Sequence, residues 1–507
     1  QKLLVKSSLS QLLVHLYPQI RQFMTQFSAN YRPRQTHLSL GEGFFDPVTS
    51  PNYPKHEVIY RNQVWAEKLG MGDFDEAKWI DHFGKFTPLD DSLPEPIALR
   101  YHGHQFQSYN PDLGDGRGFL FAQLESAEDG RLLDLATKGS GQTPYSRQGD
   151  GRLTLKGGVR EVLATELLEA LGVNTSKTFS LIETGESLHR GDEPSPTRSA
   201  VLVRLGHSHI RFGSFQRHAY LGELDKMERL LDHAIRHYMP EILNEDPANV
   251  DLKTKVPAFL KQVATNTGRL VGAWFAAGFV HGVLNTDNMN INGESFDYGP
   301  YRFLPEYEPG FTAAYFDQNG LYAFGRQPQA CAWNLEMLGG AFTRLLDDTD
   351  LLSQALAVYG PSFQDAFRTK ILQRLGLENG NLEADQAFSV TLFKFLHESK
   401  AGYDQFFFDW FCGGESQERG KVSPQSTLYE NSGFDELRKE LLSRKAVKPE
   451  RLENSYFGQE KPCSLLYDEI EDLWRPVHED DNWTKFEEKL VAIRQLKEAT
   501  GFSCDLV

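Results

Sequence analysis

The segment at 281–299, HGVLNTDNMNINGESFDYG, restricts this chain more than any other stretch. It sets two hard oxygen donors, Asn288 and Asp297, on either side of Asn292-Gly293. Asn-Gly between short β-prone runs signals a two-residue hairpin turn, so MNI and ESF are expected to pair. An amide and a carboxylate held on such a turn suit a divalent cation such as Mg2+, which takes few protein oxygens and completes its shell with phosphate oxygens and water.

The spacing has a second meaning. Protein kinases write their catalytic loop as H-R-D-L-x-x-x-N and a metal-binding turn as D-F-G. His281 and Asn288 keep that spacing, and Asp297-Tyr298-Gly299 stands where D-F-G would. The position of the kinase's catalytic aspartate holds Val283, which carries no proton acceptor. Asp287, one residue before Asn288, is the best replacement. A carboxylate there can accept a proton from an incoming hydroxyl, support a metal ligand, or simply cap the loop.

Residues 113–160 alternate glycine turns with β-like runs: LGDGRGFLFAQL, LLDLATKGSG, GDGRLTLKGG. Lys138 ends one such run, and VREVLATELLEAL at 159–171 reads as a helix stopped by Gly172. A kinase-like site needs a strand lysine on the phosphates and a helix carboxylate to hold it, and Glu161 is the candidate partner. Arg117, Arg147, Arg152, Arg204 and Arg211 thread through the same glycine turns and strands. Glycine lets a backbone approach phosphate, and arginine forks grip its oxygens. That surplus of guanidinium groups points to a polyphosphate held deeper, or otherwise turned, than in a kinase. The same arginines can also be satisfied structurally by Asp112, Asp115, Asp150 or Glu161.

Beyond residue 220 the pattern turns helical, in LDKMERLLDHAIRHYM at 224–239 and VPAFLKQVATNTGRLVGAWFAAG at 256–278, the latter with Pro257 suited to a first turn. Residues 40–60, rich in Pro, Gly and aromatics, read as an irregular wrap. The expected class is α+β: a kinase-like bilobal fold with a β-rich N-lobe at 91–220, a helical C-lobe at 221–415, an N-terminal extension at 1–90 and a helical C-terminal extension at 416–507.

A net charge of −17 argues against a general nucleic-acid or membrane surface, and no apolar run reaches the ~20 residues that span a bilayer. Cys331, Cys412, Cys463 and Cys504 form no C-x-x-C pair, which fits buried thiols in a reducing compartment. No acidic residue precedes Glu42, while Lys2, Lys6, Arg21, Arg32 and Arg34 do. That sign pattern resembles a transit peptide; the ordinary reading is an amphipathic helix on Leu3, Leu9, Leu12, Leu13 and Leu16. The expected location is the cytoplasm, or a mitochondrion if the source is eukaryotic. His102 with His104, and His207 with His209, lack a third ligand and read as strand-edge pairs. No G-x-G-x-x-G follows a leading strand, so a dinucleotide cofactor is not supported.

Taken together, LGDGRGFLF, KGSGQTPYSRQGDGRLTLKGGVRE, RLGHSHIRFGSF, HGVLNTDNMN and DYGP resemble the selenoprotein O family from about residue 40 to 340. The tail segment PCSLLYDEIEDLWRPVHEDDNWTKFEEKL is also similar. The resemblance implies kinase-like protein adenylyltransferases that bind ATP flipped relative to kinases. They move AMP, and in some members UMP from UTP, to Ser, Thr or Tyr hydroxyls of proteins with release of pyrophosphate. By motif it implies that Gly114, Gly116 and Arg117 contact nucleotide and that Lys138, held by Glu161, binds phosphate. Asp150, Gly151, Arg204 and Arg211 would belong to the same pocket, Asp287 would be the proton acceptor, and Asn288 and Asp297 would hold Mg2+ or Mn2+. The chain ends FSCDLV, with cysteine where eukaryotic members place selenocysteine, and EPGFTAAYF at 308–316 lacks the loop cysteine of some members. Two rival functions follow from Val283 and from the phosphate set: a non-catalytic ATP-binding scaffold and a conventional phosphotransferase.

Overall fold

The computed structural model describes residues 27–191 and 193–504; the basic stretch and leucine pattern at 1–26 lie outside them. Among the described residues thirteen strands occur in chain order: β1 Pro33–Arg34, β2 Phe45–Pro47, β3 Glu57–Arg61, β4 Ile97–Leu99, β5 Gly103–Gln105, β6 Ser108–Asn110, β7 Leu120–Glu125, β8 Leu132–Lys138, β9 Leu153–Thr154, β10 Lys177–Leu188, β11 Thr197–Gly206, β12 Phe279–His281 and β13 Tyr301–Phe303. Nine of them form one sheet, all of its pairs antiparallel, in the order β2-β4-β7-β8-β11-β10-β3, with β1 on β7 and β9 on β11. The segment read as an irregular wrap therefore supplies β2 and β3. Its prolines, Pro47 at the end of β2 and Pro51 and Pro54 between the strands, interrupt the alternation that would have shown them.

Alternation along β11 decides what each face of the sheet does. Val201, Val203 and Leu205 enter an apolar cluster with Trp79, Phe83 and Phe179, which covers the outer face. Ala200 and Leu202 enter the main core with the helix Leu155–Ala170. Arg204 shares the parity of Ala200 and Leu202 and so faces that helix. Leu202 sits opposite Lys138, and Arg204 sits opposite Ala136. Lys138 and Arg204 are thus diagonal neighbours on one face of two adjacent strands.

The helix starts four residues before the periodicity suggests. The Thr154 side chain caps it by accepting from Gly157 N at 3.1 Å. Gly158 lets it approach β10, because a Cβ there would lie 2.5 Å from Leu181 Cδ1. Glu161 follows less than one turn later, over the strands that carry Lys138 and Arg204.

The helical lobe is built on Leu252–Ala277, capped by the Asp251 carboxylate, with Pro257 inside the helix rather than in its first turn. Gly268 and Gly272 bring this helix against Tyr359–Arg374: a Cβ on Gly272 would lie 2.6 Å from Phe367 N. β12 leaves the end of the long helix and pairs with β13, so that the chain at 282–300 lies between two pinned strands. The main core runs through this lobe to the C-terminal helices Tyr467–Asp480 and Thr484–Thr500.

Gly272→Ala reverses the usual helix rule. Alanine favours an isolated helix by about 1 kcal/mol over glycine, but the new methyl must push two main chains apart. The expected result is a loss of about 1–3 kcal/mol, the scale of core overpacking, read as a lower urea midpoint at unchanged m-value.

Candidate active site

Four charges from four elements meet at the junction of sheet, helix and 282–300 loop. Lys138 Nζ lies 2.5 Å from Glu161 Oε2 and 2.8 Å from Asp297 Oδ1. Arg204 Nε donates to Glu161 Oε1 at 3.1 Å, and its Nη2 donates to Asp297 Oδ1 at 3.0 Å. Lys138 and Glu161 are 3% and 1% exposed, a depth at which either charge alone would be expelled. Two cations and two carboxylates make the cluster neutral. Burial alone would raise the Asp297 pKa, but Lys138, Arg204 and Arg117 outweigh it and hold the carboxyl well below the ordinary range. Arg117 stands 4.0 Å from the same oxygen.

The expected hairpin at 289–296 is replaced by a different arrangement. Gly293 N donates to Asn290 O, closing a turn, and Gly293 has φ +62°. The flanks then pair outward instead of with each other: Asn290 bridges Arg211, and Ser295 bridges Thr175. Ile291 N donates to Ile210 O and Ser176 N to Ser295 O, so the turn is clamped between two segments that belong to the sheet side. Two outside partners outcompete the local ladder that Asn-Gly favours.

His281 is fully buried, which lowers its pKa. The neutral ring accepts from Val283 N on Nδ1 and donates to Phe296 O from Nε2, at 3.2 and 3.1 Å. It therefore ties the loop's start to the residue before Asp297. Asn288 Nδ2 donates to Val283 O at 3.0 Å. Neither Asn288 Oδ1 nor Asp297 Oδ2 receives a hydrogen bond among the described residues. Two free, hard oxygens on one braced loop fit an octahedral cation whose remaining ligands are phosphate and water. Among the described residues no group of three His, Cys, Asp or Glu side chains could hold a metal alone.

Asp287 is the anomaly. It sits on a short 3-10 turn, Thr286–Asn288, beside Arg211. Arg211 donates to its backbone carbonyl at 2.9 Å rather than to its carboxylate. The other arm of Arg211 reaches Asp115 Oδ1 at 3.3 Å. Asp287 Oδ1 is buried and has no hydrogen-bond partner. Burial pushes its pKa up to about 6, against the pull of Arg211.

A cleft of about 690 Å3 opens over Asp287. Gly114, Gly116, Arg117, Arg147, Asp150 and Gly151 all line it. Gly116 passes the main chain of Tyr145, whose carbonyl a Cβ would meet at 2.8 Å; Gly151 has φ +68° and lies against Gly141 O. The structure thus brings together Lys138, Glu161, Arg204 and Asp297 as one cluster, with Arg117 at its edge. Asp287, Arg211 and the glycine turns form the adjoining wall. Two expected groups are already engaged: Arg152 makes a bidentate pair with Glu186, and Asp150 is gripped by Arg190. Arg190 also lines the cleft, yet nothing in SLHRGDEPSP marked it. Tyr101 and Tyr145, likewise on the wall, were unsuspected. His102 bonds Tyr109 Oη and His104 bonds Gln216.

Residues 25–494 match the family model described as protein adenylyltransferase SelO. The chain is 43% identical over 481 residues to a protein nucleotidyltransferase YdiU of Trichormus variabilis, covering 92% of this chain and 96% of that one. It is 42% identical over 474 residues to a protein of the same name from Synechocystis sp., covering 88% and 94%. Among solved structures it matches ROP2 from Toxoplasma gondii, described as a virulence factor with a protein-kinase fold and no enzymatic activity. That match has 11% identity and a TM-score of 0.26 over 68% of this chain and 82% of the other, a likeness too low to carry an argument.

Glu161→Gln leaves Lys138 and Arg204 buried with only Asp297 between them. Loss of one partner from a buried ion cluster costs about 3–5 kcal/mol, and the expected readout is a matching drop in unfolding free energy in urea. Adding Lys138→Met to Glu161→Gln should recover part of that loss, a coupling that unconnected surface charges would not show.

Proposed function

Since the chain belongs to the protein adenylyltransferase SelO family and is a protein nucleotidyltransferase, we propose that its cleft transfers AMP from ATP to Ser, Thr or Tyr hydroxyls, with Asp287 as proton acceptor. The observation that carries this assignment is the unpartnered, buried carboxylate oxygen of Asp287 beside a neutral Lys138–Glu161–Arg204–Asp297 cluster. A carboxylate with a pKa near 6 is ionised at neutral pH and still basic enough to take a proton in a transition state.

The acceptor oxygen attacks the α-phosphorus. A new P–O bond forms, the α–β phosphoanhydride bond breaks, pyrophosphate leaves with the bond's electrons, and the hydroxyl proton passes to Asp287. Gly114, Gly116 and Gly151 bring backbone close to the nucleotide, and Arg117 and Arg147 face it from the rim. Lys138, Arg204 and Arg211 neutralise charge that builds on the phosphate oxygens. Asn288 and Asp297 would hold Mg2+ or Mn2+, which supplies further neutralisation of that charge when bound. Asp150 and Arg152 act indirectly, by fixing the glycine turn between them through Arg190 and Glu186.

ATP labelled on its α-phosphate should mark protein, and ATP labelled on its γ-phosphate should not; the reverse pattern would make the chain a kinase. Asp287→Asn should lower kcat by about 10²–10⁴-fold with little change in nucleotide affinity. The same variant tests the carboxylate's environment in protein free of metal and nucleotide. A folded pKa of about 6 against 3.8 unfolded means that ionised Asp287 costs stability above pH 6, and that the cost vanishes below about pH 4. At about 1.4 kcal/mol per pH unit the penalty reaches about 3 kcal/mol at neutral pH. Asp287→Asn is therefore expected to be more stable than wild type at pH 7.5 and equal to it near pH 4, by urea unfolding at each pH.

A further inference from the structure

β5 and β6 pair through Gln105↔Ser108, which leaves Phe106-Gln107 as a two-residue hairpin turn. Both residues are left-handed, with φ +48° and +65°. Such turns normally take Asn-Gly, because a side chain at positive φ is strained and a bulky one more so. Here an aromatic ring occupies the strained position, packed on Tyr322 at 5.2 Å on one side and still 40% exposed. The turn is also latched in place: Phe106 N donates to Asn285 Oδ1 at 3.0 Å and His104 N to Thr286 Oγ1 at 2.7 Å. Both acceptors belong to the two residues that precede Asp287.

The Phe106 ring does not stand alone. It meets Phe316 at 5.9 Å, and Phe316 meets Tyr315 at 5.2 Å. Tyr315 is 80% exposed. The loop that presents both rings is rigid, since the buried Asp317 carboxylate accepts from Leu321 N and Tyr322 N, each at 2.8 Å, and Tyr322 Oη donates to Asn285 Oδ1. On the other flank of the hairpin Tyr109 stacks on the exposed Tyr220 at 5.0 Å. Of the five exposed Phe, Tyr and Trp side chains among the described residues, Phe106, Tyr315 and Phe316 lie together, Tyr220 joins the hairpin through Tyr109, and Tyr467 lies elsewhere under Arg302. Gln105, one residue before Phe106, lines the cleft together with Asp287. The aromatic face therefore begins where the cleft wall ends.

We propose that this face, centred on Phe106, Tyr315 and Phe316, docks the acceptor protein and selects hydroxyl residues that have an apolar side chain close by in sequence. The proposal rests on the reading of the cleft as the site of nucleotidyl transfer to protein. An acceptor must bring its hydroxyl to Asp287, and residues beside that hydroxyl then fall on rings held ready by Asn285 and Asp317. Rigid, exposed aromatics bind with little loss of side-chain freedom, and a strained turn that persists beside a reactive group marks a position kept for contact rather than for stability.

The test compares two threonine peptides that differ only in having leucine or asparagine beside the threonine. Affinity is measured by fluorescence polarisation and transfer by α-labelled ATP, with wild type, Phe106→Gly and the double variant Tyr315→Ser/Phe316→Ser. Wild type should prefer the leucine peptide by roughly tenfold in Kd and in KM. Both variants should lose that preference while ATP affinity stays within twofold of wild type. Phe106→Gly trades relief of the left-handed strain against lost packing on Phe316 and Tyr322, so the unchanged ATP affinity rather than Tm reports that the cleft is intact. Equal binding of the two peptides by wild type, or an unchanged preference in both variants, overturns the docking face, as does a change of oligomeric state in the variants without a change in KM. Preferential binding without α-label transfer supports the docking face and instead sinks the transfer reading.

Discussion

The arrangement depends on one buried carboxylate. Glu161 holds Lys138 with one oxygen and Arg204 with the other, at a depth where a lone charge is untenable. The two cations come from adjacent strands, and the acid comes from a helix that must cross both. The helix is positioned by its start, which Thr154 fixes, and by its close approach to the neighbouring strand β10, which Gly158 permits. Asp297 then supplies the second negative charge from the 282–300 loop. Without it the cluster would carry a net positive charge in the interior. The neutrality of four side chains is what locks sheet, helix and loop into a single site.

The position of the proposed base, Asp287, follows from a second chain of contacts. Asp115 sits between Gly114 and Gly116, with its N–H on Leu99 O and its carboxylate on Leu99 N and Arg211. Arg211, so neutralised, offers its other arm to the backbone carbonyl of Asp287. The glycine turn, the arginine and the proposed base are therefore one mechanical unit. Because Arg211 takes the carbonyl, the Asp287 side chain is left unpaired. Val283, at the kinase base position, is half-buried against the core and spends its N–H on His281; a carboxylate there would lose solvation without gaining a donor.

Lys138, Glu161, Asn288 and Asp297 were legible because each occupies a place fixed by an element: a strand end, a helix turn, either flank of a loop. The strands β7 and β8 were legible as β-like runs between glycine turns. The wrong or missing readings share a different cause. Arg152 read as a group for phosphate and Asp150 as part of the pocket, while the partners that engage them, Glu186 and Arg190, were missing from the reading because they lie 34 and 40 residues away and carry no local signature. The Asn-Gly hairpin was correct as a turn and wrong as a ladder, since 174–176 and 210–212 claim its edges. Phe106-Gln107 contains neither glycine nor asparagine, so nothing in its composition announces a tight turn. Local pattern reports what a segment prefers; it is silent on a distant partner that offers more.

That last turn belongs to a wider pattern. Nine non-glycine residues among those described have positive φ. Lys400 and Asp481 end helices and Cys412 precedes a 3-10 turn, where a left-handed residue is ordinary termination. Of the other six, Phe86 and Asp91 lie between elements and line no part of the cleft, Arg147 lines it, Phe106-Gln107 follow its lining residue Gln105, and Asp297 stands 4.0 Å from its lining residue Arg117. Each costs on the order of 1–3 kcal/mol, and the unpartnered Asp287 adds a desolvation cost beside them. A chain of this size has a core large enough to carry such losses, but no reason to gather them in one place unless the geometry they enforce is used there. Of the last four, two set the rim that an acceptor must cross, one orients a guanidinium at the mouth, and one aims the carboxylate that balances Lys138. Four of these six strained residues lie along the path from the proposed docking face to the charge cluster, which is why the cleft is read as a site preorganised for two substrates and not as a nucleotide pocket alone.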